Sequence, residues 1–416
     1  MNNVLLVDFG ATHIKSVIFS IENDEYTNFD KFSSPQSKSK NKNEFVICTN
    51  RLLKTFENIC VKNLKYNYDA IFISSQMHGF AIADKNNKLL SDYISWQDQR
   101  GKLLDIENFD KITGMKNRIG LPVNNLAQIV NVENFVDPIK VITLPELLSN
   151  IHEKSENIVH NTMIASTGLY DINNEAISEN ILNHIQQAVV FNKSSSSIQV
   201  SGFYNDIPIY CGIGDLQAAI NGNDSATNKS ILVNIGTGSQ VSLISKSKKQ
   251  PPNLEYRPYI DGNHLHTITH IPAGRALNTL LFPFREMGID CWSKINDYSV
   301  EQIHNSTLDI DFSVFESANN YVDGGFIKNI TEQNFNIDNI FCSLIKQLCL
   351  QYAGYIDKFN YKSDLSCVIL SGGIPKNVPT LQSLIETYTG KKCLTNYSNI
   401  DETLHGLAKI ATTCAS

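Results

Sequence analysis

Two short stretches of the 416-residue chain combine a glycine-bearing turn with side chains that can grip an anion. Asp8, Gly10, Thr12 and Lys15 follow one apolar run, and Gly236, Thr237, Gly238 and Ser239 follow another. A tight glycine turn exposes backbone N–H groups that can hold phosphate oxygens, and flanking hydroxyls add donors. Asp8, at a strand end beside such a turn, can hold Mg²⁺ directly or through water, because that ion takes few protein oxygens and keeps several waters. The second turn carries no charge to repel a nucleotide. Taken singly, each stretch also fits an ordinary surface hairpin. Taken as a pair, they can hold a polyphosphate between them in a way neither could alone.

A third constellation supplies a proton acceptor. Gly212 and Gly214 lead into Asp215, followed by the helix-like Leu216–Ile220. The carboxylate suits an N-cap, and it equally suits a general base that takes the proton of a substrate hydroxyl as that oxygen attacks a terminal phosphate. Gln76, Met77 and His78, with the later Trp96 and Asp98, bring together groups suited to a polyol. An indole face packs on the apolar side of a sugar, while amide, imidazole and carboxylate satisfy its hydroxyls. The turn Gly372-Gly373, with Asn377 close behind, lets a flat base and ribose approach the backbone. His264, His266 and His270 alternate along a possible strand, but without an acidic or cysteine partner they read as strand histidines rather than metal ligands.

These groups need strands and turns to hold them. Val4–Val7 and Ile14–Phe19 read as a hairpin. Placing Val7 on Val233 puts Leu6 on Leu232, Asp8 on Asn234, Gly10 on Gly236, Ser16 on Ser242 and Ile18 on Ile244, all at one offset. Ala70–Ser74 before Gln76, and Cys367–Leu370 before Ser371-Gly372-Gly373, add a second matching strand and turn to each half. A duplicated α/β domain is expected, with the division near Asn228, giving domains 1–227 and 228–416.

Composition excludes more than it selects. A formal charge of −7 argues against a nucleic-acid footprint. Nine cysteines without a C-x-x-C pair suggest neither a disulfide framework nor a zinc knuckle. With no secretory segment and no run of apolar residues long enough to span a bilayer, the expectation is a cytoplasmic protein away from membranes, a monomer or homodimer, acting on a small molecule.

As an ordered set, these motifs resemble the FGGY carbohydrate kinases of the actin, hexokinase and Hsp70 superfamily. The resemblance rests on Asp8–Lys15, Gln76-Met77-His78-Gly79, Trp96–Arg100, Ser166–Asp171, Gly214-Asp215, Gly236–Ser239, Ser371-Gly372-Gly373 and Gly406, and so spans nearly the whole chain. It implies two ribonuclease-H-like, actin-like ATPase domains with a cleft between them, and the use of ATP and Mg²⁺. It implies Asp215 as base, Asp8 near the metal, and sugar contacts from Gln76, Met77, His78, Trp96 and Asp98. Gly214–Gln217 and Glu255–Pro258 look most like sedoheptulokinases, with xylulokinase-like enzymes next, so the expected acceptor is a ketose such as sedoheptulose or a related polyol. Ala11 departs from the Thr or Ser usual there, and Leu216 from the polar residue of xylulokinases. Ala11 and the modest length leave open a catalytically degenerate sugar or nucleotide sensor on the same fold.

Overall fold

In the computed structural model the described residues are 1–133, 135–150, 156–247, 249–315, 321, 323–395 and 400–415. They form two compact units, one of Met1–Asn223, Lys246–His264 and Ile400–Ser416, the other of Asp224–Ser245 and Leu265–Asn399. The expected boundary at 227/228 lies close to the passage from Asn223 to Asp224, and the chain returns to the first unit at Lys246–His264 and Ile400–Ser416.

The first unit is built on a sheet in which Asn3–Phe9 runs parallel to Ala70–Ser75 and antiparallel to His13–Ser20. Glu25–Ser33 pairs outside His13–Ser20, and Ile207–Tyr210 and Val200–Tyr204 lie beyond Ala70–Ser75. Val4, Leu5, Leu6 and Val7 are all fully buried, which is why the first strand reads as a continuous apolar run: both of its faces are covered. The helix Thr49–Asn63 turns Leu52, Phe56, Ile59 and Cys60 onto one face, a helical spacing, and packs them against Leu5, Val7, Ile71 and Ile73 of the sheet. Phe56 meets Phe9 edge to face at 6.0 Å between centroids. The short strand Ile213–Gly214 also pairs with Ala70–Ser75, in parallel, and delivers the chain into the helix Asp215–Asn221.

The second unit repeats the plan. Ser230–Ile235 is antiparallel to Gly238–Ser245 and parallel to Cys367–Ser371, with Lys392–Thr395 beyond. The helix Ile337–Asp357, capped by the Asn336 side chain, buries Phe341, Leu344, Ile345 and Leu348. The duplication expected from sequence is present, but the common offset stops at the turn. Phe9 pairs with Ile14 whereas Ile235 pairs with Ser239, so the second turn is one residue shorter. Val7 faces Ser16 and Val233 faces Val241, so the counterpart of Ser16 is Val241 and not Ser242.

All nine cysteines are free thiols. Among the described residues no helix is long and apolar enough to cross a membrane.

Candidate active site

Three neighbouring strands of the first unit bring their carboxyl ends into register. Asp8 lies opposite Ser74, Phe9 opposite Ser75, and Ile213 and Gly214 lie opposite Ser74 and Ser75 on the other side. Asp8, Gln76 and Asp215 are thereby collected at one sheet edge from positions far apart in the chain. Open α/β sheets place ligand sites beyond the carboxyl ends of their strands.

Asp8 is 3% exposed. Its Oδ1 accepts from Ser74 Oγ at 2.9 Å and its Oδ2 lies 3.4 Å from Lys15 Nζ. Burial pushes its pKa up to about 6, against the pull of Lys15. Asp215, half-buried, is pushed up to about 7, first by burial and then by the charge of Asp8, while the Leu216 N–H donates to it at 2.8 Å. Asp8 thus raises Asp215, while Asp8 itself is raised by burial and by Asp401; carboxylates perturbed in this way recur in acid–base chemistry.

The first glycine turn is braced from below. Ser34 Oγ donates to the Gly10 carbonyl at 2.6 Å and the Ser34 N–H to that of Thr12 at 3.0 Å, leaving the Thr12 side chain exposed. A methyl on Gly10 would lie 2.8 Å from the His13 carbonyl oxygen and 3.7 Å from Asp8 Oδ2, so the space glycine leaves open adjoins the Asp8 carboxylate. Asp8 at that edge fits a hydrated Mg²⁺ better than a fully protein-ligated ion, since no cluster of three metal-binding side chains occurs among the described residues. Lys15 is less available than its spacing suggests: Nζ donates to Asp401 Oδ2 at 2.7 Å as well as facing Asp8.

Gln76, Met77 and His78 leave the same strand edge. Gln76 is 4% exposed, and among the described residues its Oε1 has no hydrogen-bond donor. Such a buried acceptor is costly unless a ligand supplies the donor. Met77 packs where a side chain on Gly214 would be, its sulfur 2.6 Å from that position, which ties it to the Asp215 turn. His78 has φ +60°, a strained setting for a side chain of its size. Its Nδ1 meets the Ser166 carbonyl at 2.7 Å, so Nδ1 carries the proton and Nε2 is an acceptor facing Arg257 Nη1 at 3.4 Å. Trp96 is 44% exposed, as a stacking platform requires.

Asp98 and Ser239 both make hydrogen bonds within the protein. Asp98 is fully buried, with its oxygens occupied by the Phe45 N–H and by Arg100 through Nε at 2.9 Å and Nη2 at 2.7 Å. Its carboxylate fixes this loop. The Ser239 hydroxyl turns inward to the Asn234 carbonyl at 2.5 Å and is spent on bracing the second turn.

In the second unit, the Gly236 carbonyl accepts from the Gly274 N–H at 3.0 Å and the Thr237 carbonyl from the Arg275 N–H at 2.9 Å. The start of the helix Gly274–Glu286 thus holds the turn, leaving Thr237 and Gly238 exposed. Gly372, at φ +93°, sits so close to the end of Ser230–Ile235 that a methyl would lie 2.6 Å from the Ile235 carbonyl oxygen. Gly373 and Asn377 bound an exposed-edged helical turn beyond it.

Sequence spacing missed four groups. Ser74 and Asp401 hold Asp8 and Lys15. Arg257 reaches His78 from 179 residues away. The Tyr93 hydroxyl, fully buried and without a partner among the described residues, lies where a side chain on Gly79 would be, and its pKa is driven up by burial and by Asp215. The orphan hydroxyl has no linear signature, whereas the Glu255-x-Arg257 pair does stand out in sequence.

A family model for the N-terminal domain of the FGGY family of carbohydrate kinases matches residues 3–222, more than half of the 416. No curated protein matches the chain in sequence at a significant level. Among solved structures, a ligand-bound xylulose kinase from Lactobacillus acidophilus superposes with a TM-score of 0.84 at 16% identity, covering 100% of this chain and 90% of that one. A gluconate kinase from the same organism gives 0.84 at 16%, with the same coverage. Plasmodium falciparum glycerol kinase with ADP gives 0.83 at 18%, again covering 100% and 90%. With the duplicated sheet units and the carboxylate edge, the match establishes that this chain belongs to the FGGY family of carbohydrate kinases and has their actin-like ATPase fold.

Proposed function

We propose that the chain transfers the γ-phosphoryl group of ATP to a terminal hydroxyl of a small ketose, such as sedoheptulose, or of a related polyol. Asp215 acts as general base. The acceptor oxygen forms its bond to phosphorus as the bond from phosphorus to the ADP oxygen breaks. The hydroxyl proton passes to Asp215 and from there to solvent. ADP leaves with the electron pair of the broken bond. Asp8 would hold Mg²⁺ through water, and that ion would supply charge neutralisation at the phosphates.

The observation that carries this reading is the position of Asp215 at the end of a strand registered against Ser74 and Ser75, with its pKa raised to about 7. A base is most effective when its pKa lies near the working pH. Gln76 Oε1, the Met77 thioether and the open face of Trp96 support a sugar on the same unit. His78 contributes through its strained backbone and fixed tautomer. Gly10, Thr12, Gly236, Thr237 and Gly238 are assigned to the phosphates. Gly372, Gly373 and Asn377 are assigned to the adenosine, and Lys15 to the phosphates once it leaves Asp401.

The test is Asp215→Asn. Sugar-dependent ADP release is expected to fall by about 10²- to 10⁴-fold, the usual contribution of a positioned base. ATP affinity by titration calorimetry should stay close to that of the parent. Turnover within a few-fold of the parent overturns the assignment.

A further inference from the structure

Glu255 is shared by two guanidinium groups. Arg257 donates Nε and Nη2 to Oε2 at 3.1 and 2.5 Å, and Arg118 donates Nη1 to Oε1 at 3.1 Å. Arg257 and Glu255 have side chains 5% and 6% exposed, and Arg118 one that is 23% exposed. Two cations on one anion leave a unit of positive charge over. Among the described residues, Glu255 and Arg257 are the charged groups that act on Arg118, and its pKa is depressed by burial and by Arg257 despite the pull of Glu255. Among the described residues no carboxylate other than Glu255 acts on Arg118. An unbalanced charge held mostly out of water is costly, and a bound anion removes that cost.

The surplus charge lies among the acceptor residues. Arg257 Nη1 is 3.4 Å from His78 Nε2. Arg118 stands midway along a turn tied down at both ends. At one end the Tyr256 N–H donates to the Gly114 carbonyl at 2.7 Å, and Gly114, at φ +72°, lies against the Tyr256 carbonyl with no room for a methyl. At the other, a methyl on Gly120 would lie 3.2 Å from the carbonyl oxygen of Trp96. The turn that bears Arg118 therefore runs from the Arg257 strand to the backbone of Trp96.

We propose that the acceptor carries a carboxylate, being a polyol of the aldonate kind, and that Arg118 and Arg257 bind that carboxylate at the end of the carbon chain remote from the phosphorylated hydroxyl. This rests on the kinase reading given above and narrows its class of polyols. A guanidinium offers a planar fork of donors matched to a carboxylate, which a neutral ketose or alditol of the same length cannot use as fully.

The experiment follows acceptor-dependent ADP release over a panel of aldonates, with the alditol and the ketose of each chain length, using the parent chain and Arg118→Gln. The parent is expected to favour one aldonate over its neutral counterparts in kcat/KM by about 10- to 100-fold, the size of a charge-assisted hydrogen bond. In Arg118→Gln, which removes the surplus cation and leaves the Glu255–Arg257 pair in place, that ratio should fall to near unity. If this variant melts well below the parent, Arg118→Lys replaces it: charge is kept and the fork is lost, so the preference should shrink without vanishing. A parent that uses a ketose or alditol as well as, or better than, every aldonate overturns the proposal and leaves the kinase reading intact. ADP release that no member of the panel stimulates defeats the kinase reading, and the proposal with it.

Discussion

At the scale of single residues, the acidic pair at the sheet edge sets the pH behaviour. In its proposed role as base Asp215 must be ionised, and its pKa is raised to about 7. The kcat/KM of the free enzyme should therefore fall about tenfold per pH unit as pH drops below about 7, and level off above it. A profile flat down to pH ~5 would remove Asp215 from the role of base. Stability moves the other way. A carboxylic acid whose folded pKa lies above its unfolded value binds its proton more tightly when folded, so its contribution is full below the unfolded pKa and lost as pH rises through the folded one. Replacing Asp215 by Asn should accordingly stabilise the protein above pH ~7 by roughly 1–2 kcal/mol, allowing for partial solvent contact, and should change little below pH ~4. Thermal melts of both proteins across that range provide the comparison.

Some residue assignments were legible from type and spacing and some were not. The Asp8 and Asp215 positions follow from a carboxylate at the end of an apolar run beside glycines. The inward turn of Asp98 does not, because its partners are the neighbouring Arg100 and the Phe45 N–H of a distant loop. Nor does the capture of Lys15 by Asp401, a contact 386 residues apart in sequence.

At the scale of elements, the hairpins were visible because fully buried strands read as unbroken apolar runs closed by glycine turns. Turn length was not visible. The matching glycines of the two hairpins mask a difference of one residue, and a single-residue step moves every later side chain to the opposite face. The helix Glu402–Ala415 lies against Asp215–Asn221 at two glycines: a side chain on Gly406 would overlap the Ala218 carbonyl, and one on Gly222 the Glu402 carbonyl. Helix propensity alone favours Gly406→Ala by about 1 kcal/mol. Backbone overlap opposes it, and forcing atoms into a filled contact costs about 1–3 kcal/mol or more. The variant is expected to be less stable than the parent by denaturant titration, with reduced turnover because the helix carrying Asp215 shifts. A more stable, fully active variant would show that the two backbones are not in close contact.

At the scale of the whole molecule, a duplicated architecture suggests that either half could be expressed alone. The composition of the first unit predicts otherwise for residues 1–227. That fragment lacks Lys246–His264, which supplies Glu255 and Arg257, and Ile400–Ser416, which supplies the buried Leu404, Leu407, Ile410 and Ala411. The fragment should melt without cooperativity and give poorly dispersed amide spectra, whereas the full chain melts cooperatively. A sharp transition in the fragment would show that the unit needs neither return of the chain. The sequence revealed the repeat but not this interleaving, because segments that pair across hundreds of residues leave no local periodicity.

The clamp on the Asp215 helix is furnished by Glu402–Ala415, which is synthesised long after the helix it holds. A nascent chain that already carries both glycine turns but has not reached Glu402 therefore holds the Asp215–Asn221 helix without its backing. Premature termination anywhere upstream of Glu402 leaves material that lacks this clamp, however much of the remaining sheet structure it has already assembled.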